Sequence, residues 1–296
     1  MLLGARRLAL VPENTGRFTE VGDRVWVARY EWYDVNVTVV EGQAGLMVVD
    51  THASSKQAHE VIADLRRLSC RPVVGIINTH DHVDHVFGNG AFREEYGEIP
   101  ITAHESAAAT MLLRGEQRKL VMTEQGDHRA EEMAATALVP ADHTFSSVTA
   151  IDLGDRSVEL VHPGRGHTAG DLVVRIDDAD VLLAGDLVEE SGMPSYGDDC
   201  FPLDWPHALD LTLELIGPRT VVVPGHGSPV DRDFVFEQRS AVGIVAQTIR
   251  DLAGRGVGPG EALAAEAWPY PREALIEAVR RGYEQLPRDA KRLPLA

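Results

Sequence analysis

Residues 72–85, PVVGIINTHDHVDH, carry the pattern from which the fold and the chemistry of this chain can be predicted. The first half is a continuous apolar run of strand length, typical of a buried central strand. The second half places three histidines and two aspartates directly after that run. If the backbone is extended from His80 to His82, these two side chains leave on the same face. Imidazole and carboxylate groups gathered at a strand end predict a site for zinc or another first-row metal.

Three later segments carry further histidine or aspartate residues in similar settings. They are GRGHTAGD with His167, VLLAGDLV with Asp186 and VVVPGHGS with His226. The last two follow apolar runs and lie beside glycine, where strands commonly present functional side chains at the edge of a sheet. Each segment alone is typical of a turn. Together with the histidine-rich stretch, they predict a single site that gathers residues from four parts of the chain.

The segments around these motifs predict alternating strands and helices. Short alternating runs in residues 21–50 predict antiparallel strands, and Ser54 and Ser55 are expected to begin a helix that ends at Leu68. Helices predicted within residues 105–137 are expected to form a substrate-facing insertion. The remaining predicted elements are strands at 99–103, 147–154, 157–164, 171–178, 180–186 and 220–227, a helix at 208–216 and helices within 231–286.

This pattern predicts a single α/β domain across residues 1–296. The strands of both halves are expected to form a sandwich over about 18–230, followed by a helical C-terminal extension over 231–296. The segment YPREALIEAVRRGYEQL has an apolar face that predicts packing against the sandwich, with a contact between two copies as the alternative. A monomer or a homodimer is therefore expected.

The composition restricts the class of partner. The 296 residues carry a formal net charge of -18, which disfavours nucleic acid because phosphate binding depends on clustered Lys and Arg. No stretch approaches the roughly 20 apolar residues of a membrane-spanning helix, and Arg6 and Arg7 interrupt the apolar start, so neither a membrane span nor a signal peptide is predicted. Cys70 and Cys200 lie apart without a metal-binding spacing, which is typical of free thiols in a reducing compartment. We therefore expect a cytoplasmic protein that acts on a small molecule.

The order of the motifs over residues 50–227, HxHxDH, Gly-His-Thr, Gly-Asp and Gly-His-Gly, resembles the metallo-β-lactamase superfamily. The resemblance implies an αββα sandwich of two mixed β-sheets flanked by helices, with the site along one edge between the sheets. It also implies two divalent metal ions, zinc first and manganese or iron as alternatives. The residues that match the family's ligands are His80, His82 and His167 for the first metal, Asp84, His85 and His226 for the second, and Asp186 as the bridge between them.

The stretch Asp50-Thr51-His52 matches the first short motif of the same family. The resemblance implies that Asp50 is an outer carboxylate, which orients a metal-bound imidazole without itself binding the metal. A turn aspartate that caps the next segment is the alternative.

The function implied by the resemblance is hydrolysis. Two metals that share a water would lower its pKa to about 7 and supply a metal-bridging hydroxide. Asp84 is the expected catalytic residue, which orients this nucleophile and accepts its proton. The expected substrates are a small ester, thioester, lactone or amide. Asp186 matches the glyoxalase II and lactonase branch, because true β-lactamases of the family usually carry Cys or Ser at that position.

Two other functions stay open at this stage. A mononuclear iron persulfide dioxygenase of the same fold would use only His80, His167 and Asp186. A non-catalytic member would bind a ligand or a partner through a site without activity. Such members lose metal ligands, and the sequence lacks none of the seven.

Candidate substrate contacts lie outside the metal motifs. Tyr196, in SGMPSYGDD shortly after Asp186, is a candidate hydrogen-bond donor to a substrate carbonyl. Arg165 and Arg118 are candidates to hold a substrate carboxylate. A structural tyrosine and surface arginines are the alternatives.

Overall fold

The computed structural model describes residues 17–124 and 128–287 of this 296-residue chain. Within these ranges, strands and helices alternate much as the sequence predicts. The strands are β1 Thr19–Gly22, β2 Val25–Tyr30, β3 Val35–Gly42, β4 Gly45–Val49, β5 Val73–Ile77, β6 Ile101–His104, β7 His143–Phe145, β8 Val148–Asp152, β9 Ser157–Val161, β10 Val173–Ile176, β11 Val181–Glu189 and β12 Val221–His226. The α-helices are α1 Ser55–Leu68, α2 Val83–Val86, α3 Asn89–Tyr96, α4 Glu105–Glu124, α5 Ala130–Ala134, α6 Trp205–Glu214, α7 Arg232–Gly254, α8 Pro259–Ala265 and α9 Ile276–Gln285.

The strands form two mixed sheets. In the first sheet, β1 to β7 lie side by side in chain order, antiparallel from β1 to β4 and parallel from β4 to β7. In the second sheet the order is β12-β11-β10-β9-β8, with β11 and β12 parallel and the other pairs antiparallel. A residue pair between Val35 of β3 and His226 of β12 joins the two sheets. The sheets therefore meet at the residue that ends β12.

An apolar layer lies between the two sheets. Val25 and Val40 from the first sheet share one buried cluster with Leu160 and Leu183 from the second. Alternate residues of each strand face this layer because side chains leave a strand on opposite faces in turn. Each such buried side chain stabilises the fold by about 1.5–3 kcal/mol relative to exposure. The layer holds the two sheets face to face.

Helices cover the outer face of each sheet. Helices α1 and α3 pack on the first sheet, where Val61 and Phe92 are fully buried. Helices α6, α7 and α9 pack on the second sheet, where Trp205 and Ile249 are fully buried. The layers follow the order helix, sheet, sheet, helix, which is the αββα sandwich expected from the sequence.

Helix α1 has the bounds that its sequence predicts. The Ser54 hydroxyl accepts a hydrogen bond from the backbone N–H of Gln57 at 3.1 Å, which satisfies one of the free donors of the first turn. The helix ends at Leu68, and its apolar stripe from Ala58 to Leu65 is buried. Local capping and periodicity were sufficient to predict this element.

The turn after β5 differs from the expectation of an extended backbone through His80. Strand β5 ends at Ile77, and the chain bends through residues 79–81. The Asp50 carboxylate accepts hydrogen bonds from the backbone N–H and from the hydroxyl of Thr79, both at 2.8 Å. These bonds hold Thr79 in the bend. No continuous strand runs from His80 to His82, so the condition for both side chains to leave on one strand face is not met.

Two further elements differ in their bounds. Helix α6 begins at Trp205, three residues before the predicted start at 208, because Pro206 is accommodated in its first turn. The short strand β7 was not predicted, since its three residues HTF carry no alternating pattern of useful length. It is held by parallel pairing with β6, a contact between distant parts of the chain.

The C-terminal helices pack onto the second sheet. The apolar side of α7, which includes Val242, Val245 and Ile249, is buried against α6 and α9. The division into a sandwich over about 18–230 and an extension over 231–296 stays a prediction, and residues 288–296 lie outside the described part. The cytoplasmic location and the oligomeric state also stay predictions.

Both cysteines are free thiols, as expected. Cys70 is exposed and Cys200 is buried. In the described ranges, no helix combines the length and the apolar character that a membrane span requires.

Candidate metal centre

The seven residues singled out by the motifs lie together where the two sheets meet. His80 belongs to the bend after β5, His82 is the N-cap residue of the short helix α2, and Asp84 and His85 lie within that helix. His167 lies in the loop between β9 and β10, whereas Asp186 lies within β11 and His226 ends β12. Because β11 and β12 are parallel neighbours, their two side chains reach the same edge of the second sheet.

The first group consists of His80, His82, His167 and Asp186. One ligand atom from each residue lies within 4.8 Å of those of the others. Nε2 of His167 is 2.7 Å from Nδ1 of His82 and 3.3 Å from Oδ2 of Asp186. Nε2 of His80 is 3.6 Å from the same carboxylate oxygen. The four side chains enclose one point.

The second group consists of Asp84, His85 and His226, again with ligand atoms within 4.8 Å of one another. The Nε2 atoms of the two histidines are 3.4 Å apart. Oδ2 of Asp84 is 3.5 Å from His85 and 3.4 Å from His226. Asp186 also faces this group, with Oδ1 3.2 Å from His85 and Oδ2 3.2 Å from His226. Its carboxylate therefore lies between the two groups.

The hydrogen-bond partner of the outer nitrogen of each imidazole indicates which ring nitrogen carries the proton. Carbonyl and carboxylate oxygens only accept hydrogen bonds, so the ring nitrogen beside one of them carries the proton. The outer contacts are His167 Nδ1 with Ser195 O at 3.0 Å, His226 Nδ1 with Tyr33 O at 2.8 Å, His85 Nδ1 with Asp50 Oδ2 at 2.7 Å, His82 Nε2 with Asp199 Oδ2 at 3.2 Å, and His80 Nδ1 with Thr79 Oγ1 at 3.0 Å.

When these imidazoles are neutral, as a metal-bound imidazole is, their inward nitrogens are lone pairs. Those of His82 and His167 face each other at 2.7 Å, and those of His85 and His226 at 3.4 Å. The inward Nε2 of His80 is buried without a hydrogen-bond partner in the described ranges. Lone pairs directed at one another repel unless a cation lies between them, and five imidazoles with two carboxylates suit zinc or a similar metal. The donor set fits two divalent ions.

The two groups differ in the pKa values of their histidines. Burial lowers the pKa of His80 well below its usual value, and burial lowers that of His167 to about 4. Burial acts in the same direction on His226, but the carboxylates of Asp186 and Asp84 outweigh it and raise the pKa to about 10. The same two carboxylates, together with Asp50, hold the pKa of His85 well above its usual value despite burial.

Asp50 lies behind His85, at the position where the resemblance predicts an outer carboxylate. It accepts from His85 and from Thr79, and its own backbone has the left-handed φ of 62°. The alternative role as a cap is taken by Ser54, which bonds the first turn of α1. Asp50 thus connects the bend after β5 to one histidine of the second group.

Asp199 is an outer carboxylate that the motifs did not reveal. It accepts from Nε2 of His82, although 117 residues separate the two in the sequence. Arg118 of α4 donates to this same carboxylate and to that of Asp81. Two adjacent aspartates at 198 and 199 were the available signal, but acidic pairs are common on surfaces and nothing in their spacing pointed to His82.

Gly225 is required by the close approach of β12 to β11. A Cβ atom at this position would lie 1.8 Å from Oδ1 of Asp186. Any side chain here would displace the shared carboxylate. This contact explains the glycine that precedes His226 in the PGHG motif.

A cavity of about 950 Å³ opens above the two groups. One wall is the face of α4 formed by Arg114, Gln117, Arg118, Val121 and Met122, which recur at helical spacing. The opposite wall comes from residues 191–198 after β11, and Tyr33 closes a further side. The insertion expected to face the substrate therefore does line the cavity.

Two predicted substrate contacts lie elsewhere. The ring of Tyr196 packs edge-on against Trp205 at 5.1 Å in the core of the second sheet, and its hydroxyl is buried. Arg165 pairs with Asp204 at 2.6 Å and lies over the ring of Phe201. Among the described residues that line the cavity, neither is present. Tyr196 therefore lies in the core and Arg165 in a surface ion pair, and their substrate contacts stay predictions.

Comparison with known proteins agrees with this geometry. Residues 30–226 match the family model described as the metallo-beta-lactamase superfamily. The chain is 28% identical over 205 residues to metallo-beta-lactamase type 2 from Bacillus cereus, covering 68% of this chain and 70% of that protein. It is 25% identical over 237 residues to acyl-coenzyme A thioesterase MBLAC2 from Bos taurus, covering 76% and 80%.

Further matches extend the comparison. The chain is 26% identical over 261 residues to linear primary-alkylsulfatase from Pseudomonas sp., covering 75% of this chain but 48% of that protein, so it spans about half of that relative. The solved structure of a metallo-beta-lactamase from Pontibacter korlensis superposes with a TM-score of 0.62 at 22% identity, covering 76% of this chain and 98% of that one. At this identity the likeness shows a shared fold.

Proposed function

This chain belongs to the metallo-beta-lactamase superfamily, and we propose that it is a dinuclear metal-dependent hydrolase of a small ester, thioester, lactone or amide. The observation that carries the proposal is the convergence of seven possible ligand side chains. Five imidazoles and two carboxylates converge on two neighbouring points, and the Asp186 carboxylate faces both. A complete ligand set of this kind supports catalysis over a role as a binding protein.

In this proposal His80, His82 and His167 would hold one ion, Asp84, His85 and His226 would hold the other, and Asp186, whose carboxylate faces both groups, would serve both. Zinc is the metal that this mixture of ligands suits best, with manganese or iron as alternatives. Two such ions would acidify a shared water, so that hydroxide becomes available as a nucleophile near neutral pH.

Asp84 is the proposed catalytic residue. Its carboxylate lines the cavity and is held beside the imidazoles of His85 and His226. From there it can accept a proton from the attacking water and keep that water oriented toward the substrate. The other ligand carboxylate, Asp186, is enclosed by imidazoles that hold its pKa well below the usual value against the effect of burial. It stays ionised and unsuited to accept a proton.

The cavity supports a small acyl substrate. Val121 and Met122 offer apolar contact along α4, while Arg114 and Gln117 offer polar contact one to two turns earlier on the same face. The named activity of the thioesterase relative favours thioesters as the first compounds to test. Amides, esters and lactones share the carbonyl chemistry and complete the panel.

The dioxygenase alternative would leave part of the site unused. It needs only His80, His167 and Asp186, whereas His82 and the whole second group also direct lone pairs inward. No observation favours it over the dinuclear hydrolase.

The test is the metal content of protein purified without chelators, followed by a substrate panel. We expect close to two zinc or manganese ions per chain, and about one in the Asp84→Ala and His226→Ala variants, with hydrolysis lost in both. His207→Ala is the matched control, because this histidine is exposed on α6 and should leave two ions bound. A single iron retained in wild type and in both variants, with oxygen consumption on persulfides, contradicts the hydrolase proposal.

A further inference from the structure

His82 is held differently from the other histidines of the site. Its side chain is 22% exposed, whereas those of His80, His85, His167 and His226 are between 0% and 11% exposed. It precedes α2 as an N-cap residue without a side-chain cap hydrogen bond. Packing therefore restricts this imidazole least, and its orientation depends on the hydrogen bond made by its outer nitrogen.

The partner of that outer nitrogen is Asp199. Oδ2 of Asp199 lies 3.2 Å from Nε2 of His82 and also accepts from Nη2 of Arg118. Asp199 is in the loop between β11 and α6, which forms one wall of the cavity through residues 191–198. The carboxylate thus links a ligand from the first sheet to a loop of the second sheet.

Arg118 links the same carboxylate to a third part of the chain. From α4, its Nη1 donates to the backbone carbonyl of Asp81 at 3.0 Å and to the Asp81 carboxylate. Asp81 lies between His80 and His82 in the sequence. One guanidinium therefore contacts both the residue between two ligands and the carboxylate that orients one of them. These charged hydrogen bonds are largely shielded from solvent, where they are stronger than at a surface.

We infer that Arg118 and Asp199 are a positioning pair that turns Nδ1 of His82 toward the first metal. Because the two residues come from opposite walls of the cavity, the contact between these walls contributes to the affinity for that ion. The inference rests on the proposed metal site, since His82 is one of its ligands. Neither residue contacts the metal. Arg118 acts on His82 through Asp199. Because its guanidinium group pairs with the carboxylates of Asp81 and Asp199, Arg118 does not serve as the substrate anchor considered from the sequence.

The first measurement is zinc binding at buffered free zinc concentrations. We expect Asp199→Ala and Arg118→Met each to lower the affinity for one of the two zinc ions by about 10–100-fold, the range typical of residues that hydrogen-bond metal ligands. The other ion should stay within about threefold of wild type. Asp199→Asn should recover much of the affinity, because an amide oxygen can still accept from His82.

Two comparisons separate positioning from a general loss of stability. The Arg118→Met and Asp199→Ala double variant should lose less zinc affinity than the two single variants combined, because part of the effect of the arginine passes through Asp199. The matched control is the Arg239 and Asp210 pair, which joins α7 to α6 by two hydrogen bonds at 2.6 and 2.7 Å away from the cavity. Arg239→Met should leave both zinc affinities unchanged.

Several outcomes would overturn the inference. Unchanged zinc affinity in both single variants contradicts it, as does equal weakening of both ions or additive loss in the double variant. If the alanine or methionine variants do not fold, Asp199→Leu and Arg118→Gln replace them. Wild-type affinity for both ions in these two variants at all pH values from 6 to 8, with an unchanged cobalt absorption spectrum, would also contradict the inference. If the wild-type protein binds two zinc ions but hydrolyses no substrate, the hydrolase proposal is contradicted and this inference is unaffected.

Discussion

The two metal-ligand groups use the same residue types but differ in charge. In the first group, burial keeps His80 and His167 neutral, with the pKa of His167 lowered to about 4. In the second group, Asp84 and Asp186 outweigh burial and raise the pKa of His226 to about 10. The first group is therefore largely prepared for a cation at neutral pH, whereas the second must release protons before a metal can bind.

The difference follows from where the carboxylates lie. Asp84 belongs to the second group and Asp50 bonds His85 from behind, while Asp186 serves both groups. His82 is the exception in the first group, because the hydrogen bond to Asp199 raises its pKa against the effect of burial. The carboxylates beside each imidazole therefore determine which histidines hold a proton that a metal would have to displace.

The largest expected effect comes from the residue that both groups share. Asp186→Ala should leave fewer than one zinc ion per chain and reduce hydrolysis by on the order of a thousandfold or more, because both ions lose a ligand and the bridge between them. Elemental analysis and initial rates check this. Asp177→Ala is the control, since this aspartate is exposed at the end of β10. One tightly bound ion in Asp186→Ala would show that the groups do not share the carboxylate.

Lowering the pH should release the metal ion of the second group before that of the first. A histidine whose pKa is raised to about 10 is protonated throughout the neutral range, so proton competition grows as the pH falls and affinity drops by about tenfold per pH unit for each proton displaced. Between pH 8 and pH 5, at constant free zinc, we expect zinc per chain to fall from two to one before any further loss. Asp84→Ala should show only the second, more acidic step. Loss of both ions in one step would contradict the comparison.

The smallest expected effect concerns the partner of His85. Asp50→Asn keeps the size of the side chain but removes the charge that faces Nδ1, so zinc in the second group should bind about tenfold more weakly while the first group is unchanged. Zinc titration against a competing chelator measures this. The control is Asp64→Asn, a similarly buried aspartate that accepts from Tyr30 at 3.0 Å. Equal loss from both groups would show that Asp50 supports the bend at Thr79 and not the histidine alone.

Much of the site could be predicted because its ligands lie in short motifs. The stretch from His80 to His85 and the Gly-flanked residues Asp186 and His226 follow apolar strands, and strand ends of one sheet edge meet in space. The bounds of α1 followed in the same way from a cap and a period of 3.6. In these cases the residues that determine the structure are neighbours in the chain.

The sequence by itself determined the identity of the candidate ligands and most of the helices, because capping, periodicity and ligand chemistry act over a few residues. Its resemblance to the family implied the αββα layers. Only the tertiary structure decided that Tyr196 packs in the core, that the chain bends at Thr79, and that Asp199 and Arg118 stand behind His82. The hydrogen bonds of Thr79, Arg118 and Asp199 join residues that are 29 to 117 positions apart. Their energies depend on how two sheets and a helix pack, and no local pattern carries that information.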